Sequence, residues 1–416
     1  MTTEPPSRTQ SLDHALGRRL TALTVGMDHL ERRLSRGHGV LDSEGLVPIY
    51  LGDGLVTATP FDDWDAVHAE LAAIERDLPG LTAAPRRAFL DDMLRSLRTA
   101  ARLFEGEELS FREKLEGLVG VPAQPVPDEV LADLRERIDA ALNAAGFRQG
   151  GVAERVARWE DERAVPAEQL QAVFEELMAE AQARTDRLIY PTGDYTMRLN
   201  TLRGVPFTAR CNFNEGQMDL NVDLSFTRGA LKHLVAHEVF PGHSTQLLLT
   251  RDWAQSGRST PDVLLCTTNA VTGCVQEGIG DQGVHLIEWV ESADDELHMN
   301  LRRLRTATAT SAAWYQMGEG WPEARVAEYL ERQAFGQPAW VQGRIRFASY
   351  PFRGPFIASY WFGDEAVREV RERTAPEDRR AFVDYLYGQM HSPRSLRLFQ
   401  SGEVQQDGAQ AGGAQA

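Results

Sequence analysis

The chain has 416 residues and a formal net charge of −17, and its 42% hydrophobic residues suffice for a sizeable core. That length fits two or three average domains or one large helical one. The acidic balance, with no basic stripe, excludes a general nucleic-acid binder and disfavours an anionic membrane surface, and it leaves the substrate open.

Residues 1–11 are polar and Pro-containing, and are expected to be disordered. They contain no apolar signal-type core, and no stretch has the roughly 20 apolar residues needed to span a bilayer. Cys211, Cys266 and Cys274 form no C-x-x-C pair. An odd count without a framework fits a reducing compartment, so a cytoplasmic location is expected.

From residue 12 to about 36, Leu16, Leu20, Leu23, Met27, Leu30 and Leu34 recur at helical spacing. Further amphipathic segments fall near 63–78, 85–104, 109–119, 127–145, 151–163 and 166–187, punctuated by Gly and Pro. Residues 12–187 therefore read as a helical scaffold with solvated charged faces and no site chemistry. The texture changes near Ile189. Alternating runs at 195–199, 205–211 and 218–224 predict two or three strands with tight connections. A strand edge beside a cleft can pair with an extended peptide. The other reading is a small sheet that merely covers helices.

Residues 228–246 read R-G-A-L-K-H-L-V-A-H-E-V-F-P-G-H-S-T-Q. An apolar-patterned helix runs to His237-Glu238, Pro241-Gly242 breaks it, and His243 and Gln246 follow. Zinc takes imidazole nitrogens and carboxylate oxygens, and a catalytic site keeps one position open. A glutamate beside the first ligand can take a proton from water. The usual H-E-x-x-H puts its histidines one helical turn apart. Here they are six residues apart, which an unbroken helix would place on opposite faces. Proline ends the helix and glycine permits unusual backbone, so the break can bring His243 round to His237. The alternative is a helix that simply ends at Pro-Gly, with two surface histidines.

Residues 269–283, N-A-V-T-G-C-V-Q-E-G-I-G-D-Q-G, place Glu277 and Asp281 on one helical face. In one large zincin class a downstream helix supplies a glutamate as third ligand, and an aspartate four residues later orients the first histidine. Glu277 and Asp281 fit those roles. The alternative is an acidic pair on a solvated face, but the apolar, glycine-rich neighbours argue for burial. The charged stretch 286–306 reads as a solvated helix face, and helices are expected near 307–317, 322–334, 364–374 and 376–390. The run 344–363 is rich in Arg and aromatics. In it Tyr350, Arg353 and Tyr360 are candidates to face a substrate: a tyrosine hydroxyl can donate to an oxyanion and an arginine can hold a carboxylate. The tail at 401–416 is expected to be disordered.

With these pieces placed, the chain resembles a bacterial family known as domain of unknown function 885 (DUF885), related to glutamate-zincin (gluzincin) metallopeptidases. His237-Glu238-Val-Phe-Pro241-Gly242-His243-Ser-Thr-Gln246 is similar to the family's H-E-x-x-P-G-H-H-x-Q, Glu277-Gly278 to the start of E-G-W-A-x-Y, and Leu220-Asn221-Val222 to its approach strand. Trp321 and the helix after it resemble another family stretch. Tyr350 to Gly363 resembles a diverged R-Y-x-x-x-P-G-Q-A-x-x-Y-x-x-G. The likeness covers roughly residues 190–400. It implies a mainly α, large helical zincin-like fold with a small β-sheet before the His-Glu helix. It also implies a divalent metal, zinc foremost, and peptidase or amide-hydrolase activity. Carried over by position, His237, His243 and Glu277 are the ligands, Glu238 the base and Tyr360 an electrophilic helper. Ser244 stands where the family has a second histidine, and Gly354-Pro355-Phe356 where it has Pro-Gly-Gln.

The expectation is a metal-dependent hydrolase of a peptide or small amide, with metal-bound water activated by Glu238. Asp281 would support the metal, with Gln246, Tyr350 and Arg353 on the substrate side. The region 188–400 would be catalytic, with no nucleic-acid or membrane partner. Two alternatives stand beside it: a two-His-one-carboxylate iron or manganese oxygenase, and a non-catalytic binding protein on a zincin scaffold. Glu238 favours the hydrolase, since neither alternative needs a carboxylate next to the first ligand.

Overall fold

The computed structural model describes residues 8–35, 45–205 and 209–400. The expectations for residues 1–7 and for the tail 401–416 lie outside them, whereas residues 8–11, expected to be disordered, begin a helix. The fold is mainly helical with small sheets, as expected. In chain order, α1 is Arg8–Ser35, β1 Ile49–Tyr50, α2 Trp64–Asp77, α3 Ala84–Phe104, α4 Asp128–Ala144, α5 Val152–Glu162 and α6 Leu170–Leu188. Strands β2 (Arg198–Leu202), β3 (Ala209–Asn212) and β4 (Gln217–Asn221) follow, then α7 (Arg228–Glu238), α8 (His243–Gln255) and β5 (Leu265–Cys266). The chain continues with α9 (Val271–Asp281), α10 (Ala293–Ala313), α11 (Glu323–Ala334), α12 (Pro338–Ala348), α13 (Ser359–Arg373) and α14 (Arg379–Gly388).

Local chemistry sets these boundaries. Asp63 accepts from the Ala66 amide to start α2, Thr227 from Ala230 to start α7, and Ser292 from Asp295 to start α10. Two expected elements change form. The 109–119 segment is a short α-turn at Phe111–Lys114 running into a π-type turn at Leu115–Val119. The separate helices expected at 286–306 and 307–317 are one helix, α10, ending in a π-type turn at Trp314–Gly318. Helix α10 buries its apolar side, while its charged residues Asp294, Arg302, Arg303 and Arg305 are half-buried. Leu297, Leu301, Leu304 and most of the run from Ala307 to Ala313 are buried.

Contacts divide the chain into two compact units: Met1–Ala123 with Leu247–Gly278 and Pro351–Ala416, and Gln124–Gln246 with Ile279–Tyr350. Each is assembled from separated segments, whereas the sequence reading split the chain at 187/188. In the first unit α1 packs on α2, and α2 on α3. The buried Arg86 guanidinium is satisfied by Asp262, at 2.7 and 2.8 Å, and by Asp13 at 2.6 Å. A charge this deep is tolerated because its carboxylates accompany it. A Cβ on Gly278 would meet the Gly363 carbonyl oxygen at 2.2 Å, so α9 touches α13 backbone to backbone.

In the second unit α10 packs along α4, and α6 against α7. The three-stranded sheet has the order β2-β4-β3. β2 runs parallel to β4, with Leu199 opposite Met218, and β3 runs antiparallel to it, with Cys211 opposite Met218. The first strand begins at Arg198 rather than at residue 195. Residues 192–195 form a turn, closed by the Tyr195 amide on the Thr192 carbonyl, and the Tyr195 ring stacks on Phe213. The alternation in β4 is one-sided: Met218 and Leu220 are fully buried, while Asp219 is held by Asn200, Gln217 and Arg210 on the other face.

Candidate metal centre

The His-Glu helix ends where the sequence predicts. Helix α7 stops at Glu238 and α8 starts at His243, with a cis Phe240–Pro241 peptide in the short connection. Gly242 is required by proximity. A Cβ there would lie 1.7 Å from the His237 carbonyl oxygen. The connection is stitched by the Ser244 hydroxyl donating to the Glu238 carbonyl and the Thr245 hydroxyl to the Val239 carbonyl, both at 3.1 Å. Tyr195 packs edge-on against Phe240, and its hydroxyl lies 3.4 Å from Ser244. The fold-back sets the His237 and His243 rings 4.8 Å apart, centroid to centroid, and nearly perpendicular.

Helix α9 supplies the carboxylates one turn apart. One ligand atom each from His237, His243 and Glu277 lies within 4.8 Å of the others. Ligands around zinc, with bonds of about 2.0–2.2 Å, sit roughly 3–4 Å apart. The Asp281 Oδ1 accepts from His237 Nδ1 at 2.8 Å, which leaves Nε2 for a metal. Gly280 makes this approach feasible, because a Cβ there would lie 2.7 Å from that same Nδ1. Gln246 meets His243 Nδ1 at 3.4 Å. The Gln246 atom facing that nitrogen is its side-chain Nε2. Two imidazoles and a carboxylate with matched supports are a donor set that fits zinc.

A second group lies behind the first. His233, one turn before His237, is buried, with Nε2 3.6 Å from Asp281 Oδ1. The His298 ring is 5.7 Å from that of His233. Atoms of His233, His237 and Asp281 are also close enough to hold an ion. Here, however, a cation is already present. The Arg302 Nε donates to Asp281 Oδ1 at 3.0 Å, and Nη2 donates to the same oxygen. Burial alone would raise the Asp281 carboxyl, but the Arg302 guanidinium and the two histidines hold it well below the usual carboxylate range. Burial, and then Arg302, hold His233 well below the usual imidazole value, so it stays neutral. His298 is pushed down to about 3, chiefly by burial.

Glu238 is half-buried, on the last turn of α7. The Cys211 thiol of β3 is pushed well up, by burial first and then by the neighbouring Glu238 carboxylate. Tyr360 is half-buried in the first turn of α13, its ring 5.9 Å from Phe356. Arg353 precedes the Gly354–Ala358 turn, and Tyr350 is 49% exposed. Sequence reasoning singled out neither Arg302 nor Cys211, His233 or His298. Only His233 carried a signal, its four-residue spacing from His237.

No protein-family model matches the chain, and no curated protein does. Solved structures do. Two are described as a "putative lipoprotein": one from Colwellia psychrerythraea (TM-score 0.55, 15% identity, 83% of this chain) and one of unknown function from Shewanella oneidensis (TM-score 0.51, 14% identity, 82% of this chain). The chain spans 63% of the first and 67% of the second. At such identities the likeness concerns the fold alone.

Proposed function

We propose that this chain is a metal-dependent hydrolase of a peptide or small amide bond, of the DUF885, gluzincin-like kind. One observation carries the reading: His237, His243 and Glu277 converge while Asp281 backs His237 and a carboxylate, Glu238, follows the first ligand in sequence. A divalent metal held by the trio, zinc by its donor chemistry, would supply Lewis acidity toward water and a carbonyl. Glu238 takes a proton from the attacking water and returns it to the leaving amine. Asp281 keeps the proton of His237 on Nδ1. Tyr360, with Tyr350 and Arg353, is assigned to the substrate side, where a phenol steadies a developing oxyanion and a guanidinium holds a substrate carboxylate.

The test is metal stoichiometry of the purified protein, then turnover on a dipeptide and acyl-amino-acid library, with oxygen consumption measured in parallel. One equivalent of metal with amide cleavage supports the reading. Oxygen consumption without cleavage moves it to the oxygenase class, and metal without either reaction moves it to a binding role. No helix of the described residues is long and apolar enough to cross a membrane. The three cysteines are free, which suits the cytoplasm as the working compartment. The description of the structural relatives as lipoproteins makes an exported location the competing outcome, and cell fractionation decides it.

A further inference from the structure

We propose that Arg302 is a positioning residue of the metal centre: acting through Asp281, it fixes the His237 ring with Nε2 toward the metal, and it keeps the centre mononuclear. The inference rests on the metal-site reading and deepens it. Arg302 stands in the R-R-L-R stretch of α10, whose neighbouring Arg305 is engaged by Glu160 at 2.9 Å. Arg302 reaches the buried Asp281 instead. Its Nε, at 3.0 Å, and its Nη2 both donate to Asp281 Oδ1, the one oxygen that also accepts from His237 Nδ1 at 2.8 Å.

That sharing has a chemical consequence. Asp281 is 3% exposed, and an isolated carboxylate at such a depth would be costly. With the guanidinium donating twice to Oδ1, that oxygen is held in place as an acceptor toward His237 as well. The hydrogen of His237 must then sit on Nδ1, so the lone pair on Nε2 is the one presented to a ligand. A carboxylate that was swung aside would impose neither the tautomer nor the ring angle. The same oxygen faces His233 Nε2 at 3.6 Å, so an ion held by His233, His237 and Asp281 would have to share it with the guanidinium. One arginine thus closes the inner group to metal while orienting the shared histidine toward the outer one.

The experiment is zinc competition against a chromophoric chelator on wild type, Arg302→Gln, Arg302→Lys, Asp281→Asn and the Arg302→Gln/Asp281→Asn double variant. Visible spectra of the cobalt-loaded proteins are recorded alongside. Removing a support of a ligand typically weakens metal affinity by about 10–100-fold, and Arg302→Gln is expected in that range. Arg302→Lys, which keeps the charge but not the fork, should recover part of it. Because Arg302 acts through Asp281, the double variant should bind zinc no more weakly than Asp281→Asn alone. The cobalt spectrum should change in Arg302→Gln and show no further change when that substitution is added to Asp281→Asn. Wild-type affinity in Arg302→Gln, losses that multiply in the double variant, or two bound zinc ions per wild-type chain would each overturn the proposal. If Arg302→Gln does not fold, Arg302→Lys decides, and wild-type affinity there overturns it. Wild type that binds no zinc overturns this proposal together with the metal-site reading. Wild type that binds zinc indifferently to residue 302 overturns this one alone.

Discussion

His237 has two sides, and they differ in what balances the charge. On the inner side its Nδ1 meets Asp281, whose carboxylate is already paired with Arg302 beside the buried His233 and the half-buried His298. On the outer side its ring meets His243 and Glu277, with Glu238 next in sequence. Both sides pass a distance test for an ion. On the inner side an arriving ion would have to share the Asp281 oxygen with the Arg302 guanidinium. Proximity of ligating atoms is thus a weaker criterion than which cation a carboxylate already serves.

The sharpest test acts on the outer side. Glu238→Gln keeps the shape but cannot take a proton. Turnover should fall by at least about 10²–10⁴-fold at unchanged metal content, whereas His237→Ala should lose metal and activity together. Metal stoichiometry and turnover on the same preparations read this, and a metal-loaded, fully active Glu238→Gln protein would end the hydrolase reading. Asp281→Asn reaches the outer side from the inner one. It should weaken zinc binding by about 10–100-fold without abolishing it, as measured by chelator competition. If affinity stays the same, the two sides are independent.

Much of this geometry was legible in the sequence. The helix ending at Pro241-Gly242, the return of His243 and the Glu277–Asp281 pair all follow from local rules about proline, glycine and helical spacing. Arg302 did not, because a charged residue in a charged stretch looks the same whether it faces water or a buried carboxylate 21 positions away. The discontinuous units were hidden for a similar reason. Chain order reports neighbours along the backbone, whereas segments such as Leu247–Gly278 pack with partners distant in sequence. The strand at 195–199 was displaced because Tyr195, a good strand former, is used instead to clamp Phe213 and Phe240.

Two smaller effects refine the contrast. Gly280→Ala would push a methyl to 2.7 Å from His237 Nδ1, where the ring is held by Asp281 and cannot yield freely. Overpacking of this kind costs about 1–3 kcal/mol, so thermal unfolding of the metal-free protein should fall accordingly. A Gly280→Ala protein with unchanged stability and zinc affinity would mean that the inner wall is softer than its contacts indicate. The other effect is acid sensitivity. Burial pushes His298 down to about 3 and His391 down to about 4, both below the ordinary value of about 6.5. The unfolded chain therefore binds more protons in acid. The stabilisation is complete above about pH 6.5 and is lost as pH falls toward those folded values. Between about pH 6.5 and 5, where ordinary carboxylates stay ionised, each of the two should contribute up to about 1.4 kcal/mol per pH unit. Urea titrations of His298→Leu should show a shallower slope than wild type, and an identical slope would place the acid response elsewhere.

Gly242, Gly280 and Gly283 share a property that bears on how such a centre persists through descent. A Cβ at any of them would come within 3 Å of helix α7, at the His237 carbonyl, the His237 ring and the Ala236 carbonyl respectively. One base change turns a glycine codon into an alanine codon, so the mildest copying error at these three places adds an atom where there is no room. Drift can exchange many of the apolar residues around the histidines for others of similar bulk. It cannot easily trade away clearance. What lineages of this chain must pass on is therefore partly a set of empty volumes, recorded as residues that have no side chain.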